Sequence, residues 1–77
     1  MKETMRIKLL TIVDVKEFVK AAMNCPYQID VCSGRYVVDG KSIIGLFCLD
    51  LSNPLIIQIP MTANKNYVKN AFKRWEV

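Results

Sequence analysis

Tyr27-Gln28-Ile29-Asp30-Val31-Cys32 alternates apolar and polar residues, Ser33-Gly34 reads as a two-residue turn, and Arg35-Tyr36-Val37-Val38-Asp39 continues in extended form. Period-two alternation puts successive side chains on opposite faces of a sheet, so two such runs around a glycine-bearing turn predict a β-hairpin. On either side of this hairpin the period changes. Upstream, Val15, Phe18, Val19 and Ala22 recur at helical spacing, with Lys16, Glu17 and Lys20 opposite them, until Asn24-Cys25-Pro26 ends the pattern. Asp14 is expected as the N-cap of this helix. Glu17 completes a capping box three residues on, and Val13 and Phe18 take the staple positions. Ahead of the helix, residues 6–12 read as a first strand that buries Ile7 and Leu9.

Downstream, Asp39-Gly40-Lys41 breaks the second arm of the hairpin, and Ser42 stands where an N-cap belongs before the apolar run 43–49. After a loop over residues 50–54 comes a last strand, Leu55-Ile56-Ile57-Gln58-Ile59, stopped by Pro60. Asn64 then caps a final helix. Its apolar stripe is Val68, Ala71, Phe72 and Trp75, and Lys65, Lys69 and Lys73 line the other side at four-residue intervals. The order is β-α-β-β-α-β-α. This predicts an α+β, two-layer open-faced sandwich in which three helices lie on one face of a four-stranded, mostly antiparallel sheet. Gln28, Asp30, Arg35 and Gln58 suit the uncovered face.

The bulk composition bounds what such a domain can do. A chain of 77 residues supplies one core, so residues 1–77 are expected to form a single domain. No apolar run approaches the roughly 20 residues of a membrane span, and the N-terminus lacks the pattern of a secretory signal, so a cytoplasmic protein without membrane insertion is expected. Cys25, Cys32 and Cys48 have no CxxC spacing and read as buried apolar residues in a reducing compartment; no metal or other cofactor is expected. The sequence contains no histidine, which excludes imidazole chemistry of every kind. Gly40-Lys41-Ser42 is not a phosphate-binding loop, because Arg35 stands where that motif needs its first glycine.

Phe18-Val19-Lys20-Ala21-Ala22 in the first helix and Gly40-Lys41-Ser42-Ile43-Ile44-Gly45-Leu46 at the second, set in this element order, resemble HPr, the phosphocarrier of the bacterial sugar phosphotransferase system. The similarity covers most of the chain, although the first strand and the loop after it are shorter than in the family. In HPr a histidine just before the first helix carries the phosphoryl group, assisted by a nearby arginine and the positive end of the helix. The resemblance puts Thr11 at the histidine and Val13 at the arginine, while Asp14 brings its own carboxylate to the helix end. It therefore implies a degenerate phosphocarrier site, a protein that is not an enzyme, and no histidine phosphotransfer.

The serine of the second motif, Ser42, matches the residue that an ATP-dependent kinase phosphorylates in HPr of many Gram-positive bacteria. The resemblance thus implies a regulatory site at Ser42; read from the residues alone, Ser42 is only an N-cap. It also implies a protein-binding surface made by Lys41, Ile43, Ile44 and Phe47, with Leu46 and Leu49 in the core and Ile43 and Phe47 at the surface. The partner expected is a phosphotransferase component, an HPr kinase or a transcriptional regulator, and the protein itself a monomer or weak homodimer. Two other readings use different residues. A small basic nucleic-acid-binding domain would use Lys65, Lys69 and Lys73, although a lysine-bearing outer face ordinarily serves solvation and nucleic acid is not the expected partner. A self-associating interaction domain would pair through Phe47.

Overall fold

A computed structural model describes residues 3–77; Met1 and Lys2, part of the segment read for a secretory signal, lie outside the described residues. The elements are β1 (Glu3–Ile7), α1 (Ile12–Met23), β2 (Asp30–Ser33), β3 (Tyr36–Asp39), α2 (Ile43–Phe47), β4 (Leu55–Ile59) and α3 (Lys65–Phe72), the last continued by a 3-10 turn, Lys73–Trp75. The sheet order is β1-β4-β2-β3, antiparallel at every pairing. This is the α+β open-faced sandwich that the element order predicts.

Register explains the two faces. Met5 lies opposite Ile57, and Ile57 opposite Val31, so these buried side chains form one row toward the helices. The alternate row, Arg6, Ile56, Cys32 and Val37, lies on the uncovered face together with Gln58 and Asp30. Gln28 and Arg35, expected in strands on that face, lie instead just before β2 and in the hairpin turn. That turn is Gly34-Arg35, one residue later than the sequence predicts, because Ser33 pairs with Tyr36. Gly34 has φ +59° and, among the described residues, no non-glycine residue has positive φ, the signature of a type II′ turn, which reserves its first central position for glycine.

The largest departure is at the start of α1. The strand expected over residues 6–12 ends at Ile7, and the helix begins at Ile12, capped by Thr11 rather than Asp14. Thr11 Oγ1 accepts the Asp14 N–H at 3.1 Å, and the Asp14 carboxylate accepts the Leu10 N–H at 2.9 Å. This reciprocal pair satisfies donors on both sides of the helix end and outweighs the strand propensity of residues 9–12. Val13 becomes an exposed first-turn residue and makes no staple.

Beneath the helices, Phe18, Leu46, Leu55, Ile57, Val68 and Phe72 are fully buried, and Leu49 and Trp75 join them. Phe18 is the hub of an aromatic cluster, with its ring centroid 4.9 Å from that of Phe72 and 5.6 Å from that of Trp75. Arg74 stacks on the outer side of the indole at 4.7 Å. Past the 3-10 turn the chain runs along the outer edge of β1. Lys8 N–H donates to the Trp75 carbonyl at 2.9 Å, Val77 N–H donates to that of Arg6 at 3.0 Å, and Ile7 pairs with Glu76. Cys25 and Cys32 are buried as expected, whereas Cys48 is exposed at the end of α2.

Candidate partner-docking surface

The N-terminal end of α1 and the short helix α2 come together at one end of the molecule, where α1 packs on α2. Each is set by a side-chain cap. At α2, Ser42 Oγ accepts the Gly45 N–H at 3.1 Å, which confirms Ser42 as an N-cap. The turn before it is tied by Asp39, whose carboxylate accepts the Lys41 N–H at 2.9 Å and whose carbonyl accepts the Ser42 N–H at 3.0 Å. Gly40 closes this turn against Ile29 and donates its N–H to the Ile29 carbonyl at 2.7 Å.

These caps decide which apolar side chains reach water. On α2, Leu46 is buried and Leu49 follows it into the core, as expected, while Phe47 is 47% exposed. Ile43, expected at the surface, is half-buried and packs against the core; Ile44 takes the outward position at 75% exposure. With only five residues in α2, one residue of phase decides which isoleucine faces out. From the other side come Leu10 at 74%, Ile12 at 62% and Val13 at 64% exposure. Leu10 and Ile12 had no assigned role in the sequence reading. Taking Thr11-Ile12-Val13-Asp14 as the cap, with the helix starting at Ile12, is the signal that would have exposed them.

Between Leu10, Ile12 and Phe47 lies a cavity of about 340 Å³, also lined by Thr11, Leu51 and Ser52. Thr11 and Phe47, singled out for different reasons, thus line the same cavity. Val13, Asp14, Lys41 and Ser42 do not line it. The loop wall over residues 50–53 is held by Asp50, which accepts hydrogen bonds from the backbone and side chain of Ser52 and from Asn53 Nδ2.

Those bonds, the Ser52 hydroxyl first, hold the Asp50 carboxyl below its ordinary range. Because the folded pKa is the lower one, the support Asp50 gives is present above the ordinary aspartate pKa and disappears as pH falls through the depressed value. The Ser52 and Asn53 amide resonances are therefore expected to titrate with a midpoint below that of an unperturbed aspartate. An NMR titration with a midpoint at or above that value would contradict the clamp.

On the basic side of the domain, Lys65 is engaged by the Glu3 carboxylate at 2.8 Å, so Lys65, Lys69 and Lys73 are not an uncommitted stripe. Hydrogen bonding and charge from Lys65 lower the Glu3 pKa.

No protein-family model matches the sequence, and no curated protein matches it. Among solved structures the chain is similar to the crystal structure of HPr-C-His from Thermoanaerobacter tengcongensis, with a TM-score of 0.75 and 25% identity over 96% of this chain and 88% of that one. The fold is HPr-like. The resemblance carried by residues 18–22 and 40–46 and the likeness of the backbone thus agree on the scaffold. Among the described residues no helix is long and apolar enough to cross a membrane.

Proposed function

We propose that this HPr-like chain is a regulatory, protein-binding module that has lost histidine phosphotransfer and docks through the surface formed by α2 and the start of α1. The observation that supports this most directly is the exposure of Leu10, Ile12, Val13, Ile44 and Phe47 around the position where the resemblance puts the phosphocarrier histidine. Small monomeric domains rarely leave so many large apolar side chains in water at one end unless something covers them. The histidine position holds Thr11, whose oxygen is committed to capping, and the arginine position holds Val13. The helix end that would attract a phosphoryl group already has the Asp14 carboxylate bonded beside it. A surface built for transfer of an anion is thereby turned into one for apolar contact.

In this reading Ile44 and Phe47 are the principal contacts, Lys41 supplies charge beside them, and Ile43 supports them from beneath. The partner is a phosphotransferase component, an HPr kinase or a transcriptional regulator of a bacterial cytoplasm. Ser42 is the regulatory site. A phosphate there would displace its capping oxygen and put negative charge beside Asp39 and the exposed isoleucine, changing what the surface attracts.

Two measurements test the proposal. Incubation with HPr kinase and ATP is expected to add one phosphate, located by mass spectrometry on Ser42 and absent from Ser42→Ala; an unmodified wild-type chain removes the switch. Phe47→Asp is expected to weaken binding to phosphotransferase components by at least about tenfold, since it puts a charge at the centre of the apolar contact. Calorimetric titration showing equal affinity for both proteins removes the docking surface.

A further inference from the structure

The Trp75 indole N–H is a donor without an acceptor. The residue is 6% exposed and its Nε1 is sealed from solvent, yet among the described residues no hydrogen-bond partner reaches it. A buried tryptophan N–H usually finds an acceptor, and one that does not forfeits the bond it would make with water. We propose that residues 73–77 form a strap that opens on its own, ahead of the rest of the fold, and that the orphaned indole N–H sets how readily it does so.

The strap is a separate piece of backbone. Phe72 leaves helical geometry at φ −115° and ψ 7°, so α3 ends there, and Lys73–Trp75 turns as a short 3-10 segment with no side-chain cap. Phe72 is the hinge. Beyond it, among the described residues, two backbone hydrogen bonds tie the strap to β1 and the residue after it: Lys8 N–H to the Trp75 carbonyl and Val77 N–H to the Arg6 carbonyl. The guanidinium of Arg74 stacks on the indole from within the strap and travels with it.

Two terms oppose each other in the closed state. Burial of the indole against Phe18 and Phe72 holds the strap down. The unmet N–H works against it, and this cost is recovered as soon as the ring meets water. No strand of the sheet has to separate, because β1 keeps its pairing with β4 from Glu3 to Ile7. Few ties, an exposed last residue and an internal cost put the strap at the low-stability end of the molecule.

Opening is felt at the far side of the Lys8 bond. Lys8, Leu9 and Leu10 line the cavity beside Phe47, so this stretch loses the tie at Lys8 and keeps the bond from the Leu10 amide to Asp14. The strap thus connects the end of the chain to the start of α1, and its opening does not depend on the docking surface proposed above.

The test is native-state amide exchange of the intact chain, read by NMR where reclosing outruns exchange. After correction for intrinsic rates, the Lys8 and Val77 amides are expected to exchange at least about tenfold faster than that of Ile57 in β4. The same measurement is then made on a chain carrying benzothienylalanine in place of Trp75, which keeps the bicyclic ring and puts sulfur where the N–H was. Exchange at Lys8 and Val77 is expected to slow by at least about fivefold, because the closed strap no longer buries an unmet donor. Protection of Lys8 and Val77 equal to that of Ile57 overturns local opening. Unchanged or faster exchange in the substituted chain overturns the role of the indole N–H.

Discussion

Phe18→Ala is expected to destabilise the domain by about 3–5 kcal/mol, the cost typical of removing a buried phenylalanine and leaving its cavity. Phe18 has no exposed surface, and its ring meets those of both Phe72 and Trp75. It therefore joins α1 to α3 and the 3-10 turn, and little nearby can collapse into the space. Domains of this size have a total stability of about 5–15 kcal/mol, commonly toward the lower end, so the variant should be partly unfolded near body temperature. At about 4–8 °C per kcal/mol for a small domain, thermal unfolding followed by circular dichroism should move down by more than about 10 °C. A change under about 1 kcal/mol would mean that the three rings do not form the hub of the core.

Gly40→Ala is the second large effect and acts on the candidate site. A Cβ at residue 40 would sit 2.9 Å from the Ile29 carbonyl oxygen and 2.9 Å from Ile29 Cγ2. The first of these is backbone and cannot swing aside, and the Gly40 N–H is bonded to the same carbonyl. The turn must move away from β2, at a cost of about 1–3 kcal/mol for overpacking. Lys41 and Ser42 follow directly, so the cap of α2 should shift with it. Denaturant unfolding is expected to show the loss, and the Gly45 amide, which donates to Ser42, should change its NMR shift more than amides in β1 do. An unaltered Gly45 resonance in a destabilised protein would mean that the turn does not position α2.

The core was legible in the sequence because its elements have clean periods. Leu55, Ile57 and Ile59 alternate along β4, and Val68, Phe72 and Trp75 recur along the last helix, as the pattern requires. Boundaries were less legible because two capping patterns overlap. Asp14 with Glu17 and Thr11 with Asp14 both fit the rule, and composition cannot say that the second wins, since the deciding bond runs from the Leu10 amide to the Asp14 side chain. The same ambiguity hid half of the candidate site, because Leu10 and Ile12 are exposed only if the helix starts early. The cavity was beyond sequence reading altogether, as Leu51 and Ser52 reach it through the loop that Asp50 folds. The Lys65–Glu3 contact is likewise a product of tertiary placement.

The pairing of Ile7 with Glu76 has a bearing on how the molecule behaves in a crowded solution. A sheet exposes unsatisfied backbone groups along its two outermost strands, and these can seed intermolecular growth. Here the closing residues cover part of the β1 side, while β3 is only four residues long and the carbonyl of its last residue is turned inward to Ser42. A foreign strand finds few vacant rungs on either flank. Trimming Glu76 and Val77 would free the Arg6 carbonyl, while the Lys8 amide would keep its bond to Trp75, so the outer edge of β1 would be opened on one side of Ile7 to a pairing strand.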